Sequence, residues 1–269
     1  MQTDKFVQFL VLKGLARITI HGYVGGVRRL IEVVGSLTPT IDEVNKYIAV
    51  MYSSEYSYHY KVNTALAVEK YMEFIGNPVR FGRQRKPKTI IKNTLTEAEV
   101  TKLIFSCKSL KEKTVIALLA YSGIRNKELC GLRVRDFDPG RNTIRVIQGK
   151  GMKDGLSMIS ADCTRILLEF SQGKNSDDFL FKTYQRNQYT GGALRKLIKV
   201  VARRSGINKR VYPHLLRHSM ACHLVQRGAD MLTIKNQLRH AHFETTFLYL
   251  NSIVLGEMNK YDSVSPSYL

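Results

Sequence analysis

A mainly α-helical fold with one small antiparallel β-sheet, divided over two domains, is what the sequence predicts. Three observations predict it. Apolar residues recur at helical spacing through most of the chain, period-2 alternation is confined to the neighbourhood of residues 143–159, and a basic run interrupted by proline at 83–93 separates two helical halves.

In residues 3–13, Phe6, Phe9, Leu10 and Lys13 fall at helical spacing and Gly14 stops the run. A second helix over 19–34 carries Val24, Val27, Leu30, Ile31 and Val34; its Gly22, Gly25 and Gly26 weaken it or admit the close approach of another helix or a DNA backbone. Thr40-Ile41-Asp42-Glu43 is a capping box that opens a third helix, and 56–75 makes a fourth. Gly76-Asn77-Pro78 breaks the pattern. The expected boundaries are therefore 1–82 for a helical bundle, 83–93 for a basic linker and 94–269 for a second domain that ends in a tail, 251–269. The tail's Ile253, Val254, Leu255 and Met258 are too apolar for a free terminus.

The second domain opens on another capping box, Thr96-Glu97-Ala98-Glu99. The very apolar helix at 114–121 belongs at the centre of its core. Gly123 ends that helix, and Arg125 follows at the start of the next, 126–131, with Glu128 one turn on and able to hold the arginine side chain in place. Asp138-Pro139-Gly140 is a turn. Residues 143–147 alternate like a strand and 156–159 return antiparallel to it, leaving 149–155 as a hairpin tip that carries Lys150 and Lys153. Of the helices at 163–170 and 192–204, the second holds Arg195, Lys196, Lys199, Arg203 and Arg204, either near DNA or simply facing solvent. Pro213 starts a helix with His214 and Arg217 on one face at i and i+3, a favourable place for an anion at a helix N-terminus. Gly228-Ala229-Asp230 ends it and caps a further helix, which delivers His240 just past its end; Tyr249 follows nine residues later.

The formal charge of +20 points to a polyanionic partner, nucleic acid first. Residues 1–82 hold 9 Lys/Arg against 7 Asp/Glu, a net +2; 83–93 hold 5 against none; 94–269 hold 28 against 15, a net +13. The excess thus sits in the linker and the second domain, where Arg83, Arg85, Lys86 and Lys88 read as a strap along phosphates. The 44% hydrophobic content describes a folded globule. No apolar run reaches the length of a membrane span and no signal-peptide pattern opens the chain, so no membrane role and a cytoplasmic location are expected. Cys107, Cys130, Cys163 and Cys222 are scattered, which fits reduced core thiols rather than disulfides or a zinc knuckle.

Five of the seven histidines fall between 214 and 242, which invites a zinc reading. The zincin pattern fails, because Leu215 stands where the glutamate is needed, and a Walker phosphate loop is absent around 149–155. What remains is the set His214-x-x-Arg217-His218, Leu238-x-His240 and Tyr249, preceded by Gly123-Ile124-Arg125-Asn126-Lys127-Glu128-Leu129 and Gly149-Lys150-Gly151. In residues and separations it closely resembles the catalytic block of the tyrosine recombinases, the family of phage integrases and Xer-type resolvases, and the layout is nearest to the Xer type. The departures are Ile124 in place of leucine, and Arg239 where glycine usually precedes the second histidine.

The resemblance implies a site-specific recombinase whose N-terminal bundle is a SAM-like core-binding domain that clamps the duplex, and whose catalytic residues are Arg125, Lys150, His214, Arg217, His240 and Tyr249. It also selects Lys150 over Lys153. In that chemistry two guanidiniums replace a metal ion in neutralising the non-bridging oxygens, helped by His214 and His240. Tyr249 attacks phosphorus, His214 accepts the phenolic proton and Lys150 protonates the 5′ leaving oxygen. The 3′-phosphotyrosyl bond keeps the backbone energy, so neither a metal nor ATP nor any other cofactor is expected. The implied partners are double-stranded DNA with specific core sites and a homo-tetramer on two such sites, or a hetero-tetramer with a related recombinase, in the nucleoid. A type IB topoisomerase-like nicking and closing enzyme uses a similar residue set, and a catalytically silent DNA-binding relative is the third reading.

Overall fold

The computed structural model describes residues 2–85, 94–147, 155–183 and 187–239. They are mostly helical with one three-stranded antiparallel sheet, and the chain divides into two units, Met1–Ile90 and Ile91–Leu269.

The first unit holds α1 (Gln2–Leu12), α2 (Arg17–Val34), α3 (Ile41–Ser53) and α4 (Tyr58–Phe74). The capping box at α3 forms as the sequence predicts: the Glu43 N–H donates to Thr40 Oγ1 at 3.3 Å and the Thr40 N–H to Glu43 Oε2 at 2.8 Å. Helix α4 starts two residues later than its apolar pattern, because Ser57 caps it by accepting from the Tyr60 N–H. Of the three α2 glycines only Gly26 serves a close approach; a Cβ there would lie 3.2 Å from the Ala67 Cβ on α4, whereas Gly22 meets no neighbour within 4 Å. Phe6, Leu10, Val27, Leu30, Val68 and Tyr71 form the core, with Phe6 edge-on to Tyr71 at 5.2 Å.

The segment after α4 folds back on its own unit. Buried Glu69 accepts from the Phe81 N–H at 3.0 Å and pairs with Arg80 at 3.3 Å and Arg83 at 3.1 Å. Tyr52 donates to the Gly82 carbonyl and accepts from Gln84 through its own carbonyl. Regular packing on the bundle thus continues through residue 84, and Arg83 is held by a carboxylate. Lys86 and Lys88 lie outside the described residues.

The second unit holds α5 (Glu97–Phe105), α6 (Leu110–Ser122), α7 (Asn126–Gly131), β1 (Phe137–Asp138), β2 (Thr143–Val146), β3 (Gly155–Met158), α8 (Ala161–Ser171), α9 (Gly191–Ser205), α10 (Pro213–Gln226) and α11 (Met231–Leu238). Helix α6 runs through the core with Val115 to Leu119 fully buried. It begins at Leu110, four residues before its apolar run, because Ser109 caps it by accepting from the Glu112 N–H. The sheet order is β1-β2-β3, with Thr143 opposite Met158 and Val146 opposite Gly155, so the antiparallel return is where the alternation puts it. Strand β1 carries no readable period at two residues; it exists by pairing Phe137 with Ile144 and Asp138 with Thr143. Cys130, Cys163 and Cys222 are buried and Cys107 half-buried, all as free thiols. No helix among the described residues is long and apolar enough to cross a membrane.

Candidate active site

Helix α6 stops at Gly123, whose φ of +59° is open to glycine at little cost, and the Met220 and Leu238 side chains crowd the space where a Cβ would sit. The turn places Arg125 immediately before α7. Its backbone N–H donates to Glu128 Oε2 at 2.9 Å and its Nη1 to Glu128 Oε1 at 2.7 Å, so one carboxylate both caps the helix and orients the guanidinium. A further bond, from Arg125 Nη2 to the Arg239 carbonyl at 3.3 Å, ties this arginine to the end of α11.

Arg217 comes from α10, which Pro213 opens at its first position. The side chain is 2% exposed, and a cation can stay there because its planar fork donates to two carbonyls, Gly123 at the end of α6 and Leu238 at the end of α11. Both carbonyls belong to helix C-termini, where intrahelical partners run out and the dipole is negative. His214, one turn earlier on α10, is exposed.

The end of α11 is therefore a common anchor: consecutive carbonyls, Leu238 and Arg239, take the guanidiniums of Arg217 and Arg125. Gln237 fixes this end to the sheet. Its two amide N–H groups are shared among the Ser122 carbonyl at 3.2 Å, Ser157 Oγ at 3.1 Å and the Met158 carbonyl at 2.8 Å, while its oxygen accepts from the Met158 N–H at 3.1 Å. Inward-facing Ser157 completes the lock by donating to the Ser122 carbonyl at 2.9 Å.

Arg239 adopts the left-handed conformation, φ 52° and ψ 49°, which is the physical reason glycine suits the position. Its guanidinium meets Glu128 Oε2 at 2.8 Å. Burial alone pushes the Glu128 carboxyl up, but the Arg125 N–H, Arg239 and the Arg125 guanidinium outweigh it and hold the group below the usual carboxylate range. The departure from glycine therefore alters more than a turn; it adds a cation to the carboxylate that orients Arg125.

The described residues bring Arg125 and Arg217 together and place His214 on the helix that carries Arg217. Lys150, His240 and Tyr249 lie outside them, as do the rival Lys153 and the tail 251–269. Arg83 and Arg85 belong to the other unit. On α9, Arg195, Lys196, Lys199 and Arg203 are exposed, whereas Arg204 pairs with Glu112 at 2.7 Å and braces α6. His223 has a structural partner, with Nε2 2.8 Å from the Leu95 carbonyl. The sequence pointed to Glu128 but missed Gln237 and the Arg239 side chain; the only available signal was a bulky residue where a helix stop calls for positive φ.

Residues 93–254 match the phage integrase family. The chain is 30% identical over 255 residues to the tyrosine recombinase XerA of Pyrococcus horikoshii, covering 91% of this chain and 87% of that one. A crystal structure of XerA recombinase superposes with a TM-score of 0.58 at 25% identity, over 99% of this chain and 98% of that one. XerH bound to its difH substrate in a pre-cleavage complex shares the fold, with a TM-score of 0.69 at 21% identity over 86% of this chain and 75% of that one. With its two guanidiniums gathered on the carbonyls at the end of α11, the chain belongs to the phage integrase family and is a tyrosine recombinase, an enzyme of site-specific DNA strand cleavage and rejoining.

Proposed function

We propose that Tyr249 is the nucleophile of a reaction in which Arg125 and Arg217 neutralise the scissile phosphate, His214 and His240 hydrogen-bond to it and Lys150 protonates the 5′ leaving oxygen. The observation that carries this reading is the convergence of Arg125 and Arg217 on adjacent carbonyls one residue before His240 in the chain. Planar forks so held are pre-organised for charge that develops in the transition state. Arg125 spends two side-chain donors on Glu128 and Arg239 and retains others for phosphate oxygens. His214, exposed on the first turn of α10, is the proton acceptor for the phenol, whose ordinary pKa of about 10 demands a base and nearby cations.

The DNA is a duplex with specific core sites, bound by the helical bundle of residues 1–82, acting as the core-binding domain, and by the catalytic unit, in the nucleoid. Arg83, which also pairs with Glu69, runs along phosphates together with Arg85, Lys86 and Lys88. Two such sites are held by a tetramer, of this chain alone or with a related recombinase, in which the apolar tail after Asn251 docks on a neighbouring protomer. A cavity of about 470 Å³, walled by apolar Val100, Ile104, Ala120, Met220 and Leu224 and rimmed by polar groups that include Glu97 and Arg227, supports that reading by offering an apolar seat.

The test of the function is covalent capture on nicked suicide substrates. Tyr249→Phe should bind its site and form no protein–DNA adduct on denaturing gels. Adduct formed by the variant would move the nucleophile, with Tyr261 and Tyr268 the next to replace. Relaxation of supercoiled DNA that carries no site would instead favour the topoisomerase reading.

A further inference from the structure

Arg239 is an expensive residue where it stands. An L side chain in the left-handed region costs about 1 kcal/mol or more, and its buried Nε has no hydrogen-bond partner among the described residues. Glycine would remove both penalties. The side chain is nevertheless specifically accommodated. It is 12% exposed, and Gly155 at the start of β3 leaves room for it, since a Cβ there would fall 2.6 Å from Arg239 Cδ.

What the side chain does is electrostatic. Arg125 with Glu128 alone is a neutral pair. Arg239 adds one charge, so this trio carries a net +1, and Arg217 raises the sum for these four described residues to +2. Geometry points the same way. Glu128 Oε1 holds Arg125 Nη1 at 2.7 Å, while Oε2 is shared between the Arg125 backbone N–H at 2.9 Å and Arg239 Nη2 at 2.8 Å. With Oε2 engaged, the carboxylate cannot form a two-pronged clasp with the Arg125 guanidinium, the arrangement that would use up most of its fork.

We propose that Arg239 is a positioning residue for strand cleavage: by engaging Glu128 it keeps Arg125 oriented but not captured, and so available to the scissile phosphate. The inference rests on the reading in which Arg125 meets that phosphate. Arg239 acts through Glu128 and touches no reacting atom.

The experiment measures single-turnover cleavage of a suicide substrate and, separately, site affinity, for Arg239→Gly, Arg239→Lys, Glu128→Gln, the double variant R239G/E128Q and Arg125→Ala, each checked for folding by circular dichroism. Arg239→Gly should cleave at least tenfold more slowly with affinity changed less than threefold. Arg239→Lys, which keeps the cation, should remain within a few-fold of the parent. R239G/E128Q should cleave faster than Arg239→Gly, because an uncharged partner no longer captures Arg125. Normal cleavage by Arg239→Gly alongside an inactive Arg125→Ala would overturn the proposal alone, as would a double variant slower than both singles. Normal cleavage by Arg125→Ala would overturn the underlying reading and the proposal with it. Should Arg239→Gly fail to fold, Arg239→Lys and Arg239→Gln decide: equal rates for the two deny a role for the charge.

Discussion

Leu238, the last residue of α11, gives its carbonyl oxygen to the guanidinium of Arg217 on α10, and the same guanidinium reaches back to Gly123 at the end of α6. One buried cation thus fastens the ends of α6 and α11 to α10, so the catalytic candidate is also a structural tie. Arg217→Lys should show both roles. A lysine keeps the charge but loses the fork that spans two carbonyls, and losing one bond to a charged group costs about 2 kcal/mol. Urea unfolding should register that loss while suicide-substrate cleavage falls sharply. Unchanged stability would mean that lysine satisfies both carbonyls and that the fork is dispensable.

Glu128 makes a prediction about acid. Its carboxyl lies below the ordinary range in the folded protein, so the unfolded chain takes up the proton first as pH falls. The stabilisation is therefore fully present above the unfolded value, about 4.3, and is lost as pH drops through the lower folded value. Stability should decline below about pH 4 in the parent, with a shallower decline in Glu128→Gln; matching acid profiles for the two would show that the carboxylate is not preferentially charged in the fold.

The basic segment divides into two behaviours. Arg83 is paired with buried Glu69, so Arg83→Ala should lower the stability of the first unit by about 1–3 kcal/mol. Replacing Arg85, Lys86 and Lys88 together by glutamine should instead flatten the dependence of log affinity on log salt, by roughly 0.9 per lost phosphate contact, without altering which site is preferred. A salt slope indifferent to the triple change would leave the segment a tether.

Replacing the 5′ bridging oxygen by sulfur separates the acid from the charge stabilisers. A thiolate leaves without a proton, so Lys150→Ala should be slow on ordinary DNA and largely rescued on the phosphorothioate. Arg125→Ala and Arg217→Ala should stay defective on both substrates if, as proposed, their charge serves the non-bridging oxygens. Rescue of Lys153→Ala would transfer the role three residues along the hairpin, and rescue of neither would pass it to His214 or His240.

Truncation after Asn251 should leave the catalytic unit folded yet impair synapsis and strand exchange, if the apolar tail seats on a neighbouring protomer. Sedimentation of the protein with its DNA site would follow the assembly. Full synapsis by the truncated chain would argue against docking in trans.

The features written locally were legible without coordinates. Thr40 and Glu43, Thr96 and Glu99, and Arg125 and Glu128 each lie three residues apart, where a helix start brings them together, and their bonds form accordingly. The six-part spacing of arginines, lysine, histidines and tyrosine was readable only as a resemblance to the tyrosine recombinases, and of its members the described residues include Arg125, His214 and Arg217. Tertiary structure alone decided that Arg239 turns left-handed and reaches Glu128 across 111 positions, that Gln237 locks β3 to α6, and that Arg83 folds back on Glu69. Those contacts join residues far apart in the chain, through burial and charge pairing that leave no period in the sequence; they exist only once the helices have packed.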